Sequence, residues 1–138
     1  MKRGFRKGFT LIELLIVLAV IAALLAVVTP IALNAVRKAN LTKIASNLRN
    51  IKTAAETYIT MANPSANDGA LLDTLETNGY LTTKPKDYSA KLEYGTDVST
   101  VTIWYTGGGA SGEELHKIYS EVSTDTTYPQ VQFTVGNW

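Results

Sequence analysis

One carboxylate stands near the start of a long apolar segment, and its type and position could carry chemistry. Between Phe9 and Leu33 the only charged residue is Glu13, and the stretch from Leu14 to Val28 contains no polar side chain. A carboxylate in apolar surroundings costs several kcal/mol unless it has a partner. Glu13 therefore either lies at the level of lipid headgroups, where water reaches it, or pairs with a positive charge.

The apolar segment is long enough to cross a bilayer as one helix. At a rise of about 1.5 Å per residue, about 20 apolar residues cross a hydrocarbon core of about 30 Å. The charged residues before the segment are all basic, namely Lys2, Arg3, Arg6 and Lys7. Lys and Arg beside a membrane span tend to stay on the cytoplasmic side. We therefore expect the N-terminus inside the cell and the residues after the span outside it.

A specific motif joins the basic residues to the apolar segment. It reads Gly8-Phe9-Thr10-Leu11-Ile12-Glu13-Leu14, and it precedes an apolar helix with Pro30 near its far end. This arrangement, over residues 1–60, resembles the N-terminus of a type IV pilin precursor, a class that includes the pseudopilins of type II secretion. The resemblance implies that a prepilin peptidase cuts the Gly8–Phe9 bond and methylates the Phe9 amine. Residues 1–8 would then be a prepilin leader.

The resemblance also assigns roles in assembly to three residues. It implies that Glu13 of one copy attracts the Phe9 amine of a neighbouring copy as the filament forms. Within one helix Phe9 and Glu13 are four residues apart, so an intrachain contact is available before assembly. Pro30 removes a hydrogen bond to the Ala26 carbonyl, which predicts a kink or a local break. By resemblance, the helix melts in the filament over Ala23–Pro30.

Three other interpretations of the N-terminal segment are open from the residues. A secretory signal has an apolar core of about 7–15 residues and a small-x-small cleavage site, whereas this segment is longer and offers only Leu33-Asn34-Ala35. A plain membrane anchor explains the length and the basic flank but does not call for the Gly-Phe-Thr-Leu-Ile-Glu motif. An apolar helix inside a soluble core needs cover on every side, which a chain of 138 residues can hardly provide.

The periodicity after the apolar segment predicts one helix over residues 10–62. Apolar residues step by three and four along one side, namely Leu41, Ile44, Leu48, Ile51, Ala55, Tyr58 and Ala62. We predict a pilin-like α+β fold, in which a long N-terminal α-helix, first transmembrane and then amphipathic, packs on a small C-terminal antiparallel β-sheet domain. The predicted divisions are the leader 1–8, the transmembrane and filament-core half of the helix 9–33, its amphipathic half 34–62, and a globular head 63–138.

The head is predicted to contain two short helices and three strands. The helices are expected over 71–76 and 113–122, and the strands over 90–94, 98–106 and 128–135. Asp68 is the expected N-cap of the first short helix, and Asn78-Gly79 its end. The sequence has no cysteine, so no disulfide can close the C-terminal region. We therefore expect packing alone to hold the C-terminal end.

The remaining residues with reactive side chains indicate neither an enzyme nor a cofactor site. The one histidine, His116, stands beside Lys117 on a predicted helix and is expected at the surface. With one His and no Cys, a zinc site is not expected. Loops could bring Asp97 and Asp125 together as a calcium pair, but turn or cap roles explain two isolated acids better. We expect no catalytic residue, no metal and no cofactor.

A cluster of five cations follows the apolar segment, but it is a poor indication of nucleic-acid binding. Its members are interspersed with Asn and Thr and lack interleaved aromatic residues. Juxtamembrane charge or contacts between subunits account for them better, and nucleic acid is left open as a partner. The five are Arg37, Lys38, Lys43, Arg49 and Lys52.

Motif and resemblance together indicate a structural subunit of a type IV pilus-like filament that serves adhesion, motility or DNA uptake. The implied partners are other copies of the chain in a helical homopolymer, the prepilin peptidase, an inner-membrane assembly platform and a separate ATPase motor. The chain would be a single-pass precursor in the cytoplasmic membrane and then part of an extracellular or periplasmic filament. The alternatives are a major pseudopilin of a type II secretion system and a single-span membrane-anchored binding protein.

Overall fold

Within residues 8–137, which the computed structural model describes, one long helix precedes two short helices and four strands. In chain order the elements are α1 (Leu11–Ala62), α2 (Leu71–Thr77), β1 (Tyr88–Glu93), β2 (Val98–Tyr105), α3 (Gly112–His116), β3 (Val122–Ser123) and β4 (Gln130–Gly136). The chain divides into two compact units between Lys38 and Ala39. In the second unit, α1 packs on the antiparallel sheet, which confirms the predicted α+β class.

Helix α1 extends over 52 residues and ends at residues that break helices. Asn63 has a φ of +41°, in the left-handed region that commonly closes a helix. Its N–H still donates to the Ile59 carbonyl at 3.0 Å, and Pro64 has no N–H to continue the pattern. The predicted long helix is confirmed to within one residue at its start.

Pro30 lies inside α1 without interrupting it. The helix is continuous from end to end, so the local break that proline could have caused is not present. Proline removes a single backbone hydrogen bond, here to the Ala26 carbonyl, while the neighbouring turns keep theirs. In the same turn the Thr29 hydroxyl donates to the Leu25 carbonyl at 2.7 Å. Melting of this segment was implied for the filament and stays a prediction.

The buried side of α1 follows the predicted stripe and then departs from it. The first five predicted residues are buried, namely Leu41, Ile44, Leu48, Ile51 and Ala55. At the next turn Ile59 is buried, Tyr58 is only partly buried, and Ala62 is exposed. A straight α-helix repeats every 3.6 residues, so a heptad stripe that steps by 3.5 drifts off the buried face. The prediction for Ala62 is wrong for this reason, and Ile59 was missed.

The sheet places its apolar face on the amphipathic half of α1, as predicted. Its strand order is β1-β2-β4-β3, and every neighbouring pair is antiparallel. Val101 and Ile103 of β2 and Val131 of β4 are fully buried in the cluster that also contains the buried residues of α1. Phe133 and Val135 of β4 pack against the same cluster, partly buried. Alternate residues of both strands therefore form the core, and those between them face outward.

The helix predicted over 113–122 is wrong in its C-terminal half. Helix α3 ends at His116, and Val122 instead belongs to β3, where it pairs with Val131 of β4. Four residues spaced as on one helical face do reach the core, but a turn and a strand bring the later ones there. These four are Leu115, Ile118, Tyr119 and Val122. Apolar residues spaced by three and four along the sequence therefore do not distinguish one long helix from a short helix followed by a turn and a strand.

Asp68 holds the start of α2 from outside the helix. The N-cap position is Ala70 and not Asp68, which corrects the predicted cap. The Asp68 carboxylate nevertheless accepts hydrogen bonds from the Ala70 N–H at 2.8 Å and from the Thr74 hydroxyl at 2.5 Å. Its backbone forms an isolated bridge with Leu92 of β1. The helix ends as predicted, with Gly79 at a φ of +77°.

Two of the five cations bind the head itself. Arg49 donates to the Ile118 carbonyl at 3.0 Å, and its guanidinium lies 4.6 Å from the centre of the Tyr119 ring. Lys52 pairs with Glu121 at 2.5 Å, and the same carboxylate accepts the Tyr119 hydroxyl at 2.6 Å. The bonds from Lys52 and Tyr119 lower the pKa of Glu121 below its ordinary value. Arg49 and Lys52 therefore hold the segment after α3 against α1.

The C-terminal end is held by hydrogen bonds as well as by packing, so the prediction of packing alone is wrong. Asn137 donates from its backbone N–H to the Asp97 carbonyl at 3.0 Å and from its side chain to the Gly95 carbonyl. Its side-chain oxygen accepts the hydroxyl of Ser99, a fully buried residue, at 2.8 Å. Asn137 therefore binds the end of the described chain to the turn between β1 and β2 and to the first residues of β2.

We predict that Asn137→Ala lowers the free energy of unfolding by about 1–3 kcal/mol, because it leaves the buried Ser99 hydroxyl without its partner. Denaturation of the detergent-solubilised chain measures the change. Adding Ser99→Ala should recover part of the loss, since the unsatisfied hydroxyl is then gone. Asn50→Ala, at an exposed position of α1, is the control and should shift stability by no more than about 0.5 kcal/mol. Strictly additive losses in the double variant would contradict the pairing.

Candidate processing and assembly site

Two reciprocal hydrogen bonds fix the beginning of α1. The Thr10 hydroxyl accepts the Glu13 N–H at 3.3 Å, and the Glu13 carboxylate accepts the Thr10 N–H at 2.9 Å. The first helical bond runs from the Leu14 N–H to the Thr10 carbonyl at 3.2 Å. Thr10 is therefore the N-cap and Glu13 the third helical residue of a capping box.

The capping box gives Glu13 a partner inside its own chain. The carboxylate bonds a backbone N–H that the helix would otherwise leave unsatisfied, and the positive end of the helix dipole favours its charge. In the described chain, where Gly8 is still joined to Phe9, the partner is the Thr10 N–H and not the nitrogen of Phe9. Sequence reasoning missed this role, although a threonine three residues before a glutamate at the start of an apolar run signals it.

The Gly8–Phe9 peptide lies just outside the capped helix. Residues 8–10 have no helical or strand conformation, and the Phe9 side chain is 94% exposed. A Cβ placed on Gly8 would meet nothing within 4 Å. Among the described residues, therefore, no neighbour requires the small size of glycine at this position.

The surface beyond the cap is apolar on every side of the helix. Each large apolar side chain from Leu11 to Val36 is at least 47% exposed, and the first buried residue of α1 is Leu41. Within residues 8–137, α1 is the one helix that is long and apolar enough to cross a membrane, by length and composition. Pro30 lies in this exposed part.

The other reactive side chains singled out in the sequence belong to the second unit. The exposed His116 holds the Val122 carbonyl through Nδ1 at 2.8 Å. The Asp97 carbonyl accepts the Asn137 N–H at the β1–β2 turn, and Asp125 lies in the loop before β4. Among the described side chains, no group of three or more His, Cys, Asp or Glu could hold a metal ion.

Comparison with known families agrees with the N-terminal geometry. Residues 3–29 match the family described as the prokaryotic N-terminal methylation motif. This motif is the signature of type IV pilins and pseudopilins, so the resemblance seen in the sequence is confirmed. It supports a membrane-anchored, pilin-like or pseudopilin-like precursor, and it implies processing by a prepilin peptidase. Gly8, Phe9 and Glu13 lie inside the match, and Pro30 follows it directly. A search of curated proteins and a search of solved structures each gave no match.

We predict that Thr10→Val loosens the first turn of α1. Valine keeps the shape of threonine but offers no acceptor to the Glu13 N–H, and loss of an N-cap costs about 1 kcal/mol. Amide hydrogen exchange at residues 11–14, followed by NMR in detergent micelles, should become about fivefold faster. Thr10→Ser keeps the hydroxyl and serves as the control, with nearly unchanged exchange. Equal rates in Thr10→Val and the parent chain would show that the capping box contributes nothing.

Proposed function

We propose that this chain is the structural subunit of a type IV pilus-like filament, processed at Gly8–Phe9, methylated on Phe9 and polymerised through α1. The observation that carries the proposal is the methylation motif at residues 3–29, which extends into the apolar part of α1, where no side chain is buried by the described residues. The motif is the site at which the precursor would be cleaved and methylated. The exposed apolar side chains of the helix would need other apolar helices to cover them outside the membrane.

The exposed apolar surface supports assembly through α1. An apolar side chain gains about 25 cal/mol for each Å² removed from water, and the segment from Leu11 to Val36 presents such side chains around its whole circumference. Lipid satisfies this surface in the precursor. When the subunit leaves the bilayer, only other apolar helices can replace lipid, and copies of the same chain offer them.

Glu13 supports the proposal through its charge. In a bundle of apolar helices, a carboxylate left without a partner is costly, and removing one member of a buried ion pair costs about 3–5 kcal/mol. Cleavage at Gly8–Phe9 creates a new amine on Phe9, the residue directly before Thr10 of the capping box. A neighbouring copy can then neutralise Glu13 with that amine, while the Thr10 N–H continues to bond the same carboxylate.

The order of events follows from these contacts. Before cleavage, Phe9 is an amide and carries no charge, so the ion pair cannot form. Cleavage removes the basic leader and generates the charged partner of Glu13 in one step. Assembly therefore requires prior cleavage. A precursor that keeps residues 1–8 should insert in the membrane without polymerising.

Assembly also needs partners that this chain does not contain. A prepilin peptidase makes the cut, an inner-membrane platform receives the subunit, and a separate ATPase supplies the energy. A major pseudopilin of a type II secretion system shares the N-terminal features and is the nearest alternative function. A single-span membrane-anchored binding protein would keep its leader and would not need Glu13.

Substitutions at Glu13 test the proposal in a host with a prepilin peptidase and assembly machinery. We expect both Glu13→Val and Glu13→Gln to insert in the membrane at parental levels, since neither adds charge to the span. Both should reduce the yield of sheared filaments at least about tenfold, because the amine of the neighbouring copy loses its charged partner. Quantitative immunoblots of membrane and filament fractions measure the two quantities.

The two substitutions separate charge from capping. Glutamine at this position can still complete a capping box, whereas valine cannot. Full filament yield from Glu13→Gln would show that Glu13 acts only as a cap, and full yield from both variants would refute its role in assembly. Glu113→Gln, at an exposed position in the head, is the matched control and should assemble normally.

A further inference from the structure

The outer face of the sheet, opposite α1, carries a cavity that the N-terminal function does not use. It has a volume of about 580 Å³ and lies between the outward side chains of the strands and the loop 124–128. We name it the outer-sheet cavity. Its lining includes Trp104, Tyr128, Gln130, Gln132, Asp125 and Lys91. A volume of this size lies within the range of small-molecule sites, about 300–1,000 Å³.

Strand pairing places the side chains of the cavity in two rows. Trp104 of β2 is the direct partner of Gln130 in β4, and Lys91, Thr102 and Gln132 are aligned across β1, β2 and β4. Outward positions of a solvated antiparallel sheet are ordinarily polar. A tryptophan among them, beside an amide on the next strand, gives the face a flat apolar surface next to hydrogen-bonding groups.

The loop that walls the cavity is fixed at both ends. Before it, Ser123 pairs with Gln130, and after it the Pro129 carbonyl accepts the Tyr105 N–H at 2.9 Å. Within the loop, the Thr126 hydroxyl donates to the Tyr128 carbonyl at 2.6 Å. The wall is therefore formed before any ligand arrives, which reduces the cost of ordering it on binding.

Three polar side chains of the cavity are available to a ligand. Among the described residues, the side chains of Asp125, Gln130 and Gln132 take part in no hydrogen bond or ion pair. Each glutamine offers both a donor and an acceptor, and the carboxylate offers two acceptor oxygens. Tyr128 lines the cavity and is 49% exposed, so part of its surface is accessible to a ligand.

We propose that the outer-sheet cavity binds a saccharide. A pyranose ring has apolar C–H faces that pack on aromatic rings and a rim of hydroxyls that both donate and accept hydrogen bonds. Trp104 and Tyr128 supply the aromatic surface, while Gln130, Gln132 and Asp125 supply partners for the hydroxyls.

The charged residues that line the cavity favour a neutral sugar over a polyanion such as a nucleic acid. Its two charged residues, Lys91 and Asp125, are of opposite sign, and Lys91 is already paired with Glu93 at 2.7 Å. A nucleic acid needs a basic surface to neutralise its phosphates, and this surface is not basic. The amides and hydroxyls of the cavity match a ligand that carries many hydroxyls and no net charge.

Tryptophan fluorescence of the detergent-solubilised full chain tests the proposal. The chain has two tryptophans, so Trp138→Phe leaves Trp104 as the reporter. The probes are four neutral disaccharides, lactose, maltose, cellobiose and N,N′-diacetylchitobiose, each titrated separately. We expect at least one to shift or quench the Trp104 emission with saturation. Tyr128→Ala should then weaken binding at least about tenfold, and Gln132→Ala about fivefold.

A matched control variant distinguishes the cavity from general effects. Tyr94→Ala removes another exposed tyrosine, 40% accessible and outside the cavity, and should leave binding unchanged. Circular dichroism of each variant verifies that it is folded. If no disaccharide gives a saturable signal, or if Tyr94→Ala weakens binding as much as Tyr128→Ala does, the proposal is wrong. Neither outcome depends on filament formation, so failure here leaves the proposed filament function standing.

Discussion

The exposed apolar half of α1 is the constraint on which the rest of the molecule depends. From Leu11 to Val36 every large apolar side chain is at least 47% exposed within the described residues, so this part of the helix needs lipid or other helices at every stage. Burial begins only at Leu41, where the second half of the same helix meets the sheet. One continuous element thus serves two environments, and the small head needs to cover only the second of them.

Glu13 is the only charged residue in this exposed apolar segment, so its carboxylate needs a partner. The helix needs an acceptor for its first N–H groups, and the capping box with Thr10 supplies one. A filament core needs that same carboxylate neutralised, and the amine created by processing can do so without displacing the cap. The charge is therefore tolerated at the start of an apolar segment because it has one partner in the described chain, and the proposed assembly would add a second.

Much of this structure could be predicted from the sequence, because strong local patterns decide it. The length of α1, its end at Asn63 and the buried stripe from Leu41 to Ala55 all follow from periodicity and helix-breaking residues. Contacts between distant residues could not be predicted in the same way. The pairing of Val122 with β4 depends on where the chain returns after α3.

The bonds at the two ends of the described chain show the same division. Asn137 fastens the C-terminal end to a turn about 40 residues earlier, and no spacing in the sequence announces such a contact. The capping box at Thr10 is local, and a threonine three residues before a glutamate is sufficient to predict it. The outer-sheet cavity depends on the register of three strands, which only the folded chain reveals.

The intact mass and the N-terminal peptide of the protein from native membranes test the central claim most directly. The account predicts a chain that begins with N-methylated Phe9. Gly8→Val supplies the control, because a Cβ at this position meets no atom of the described residues within 4 Å, so we expect the substitution to change only recognition by the peptidase. A parental chain that still carries Met1 to Gly8 in a peptidase-competent host would contradict the account and identify a membrane-anchored display protein.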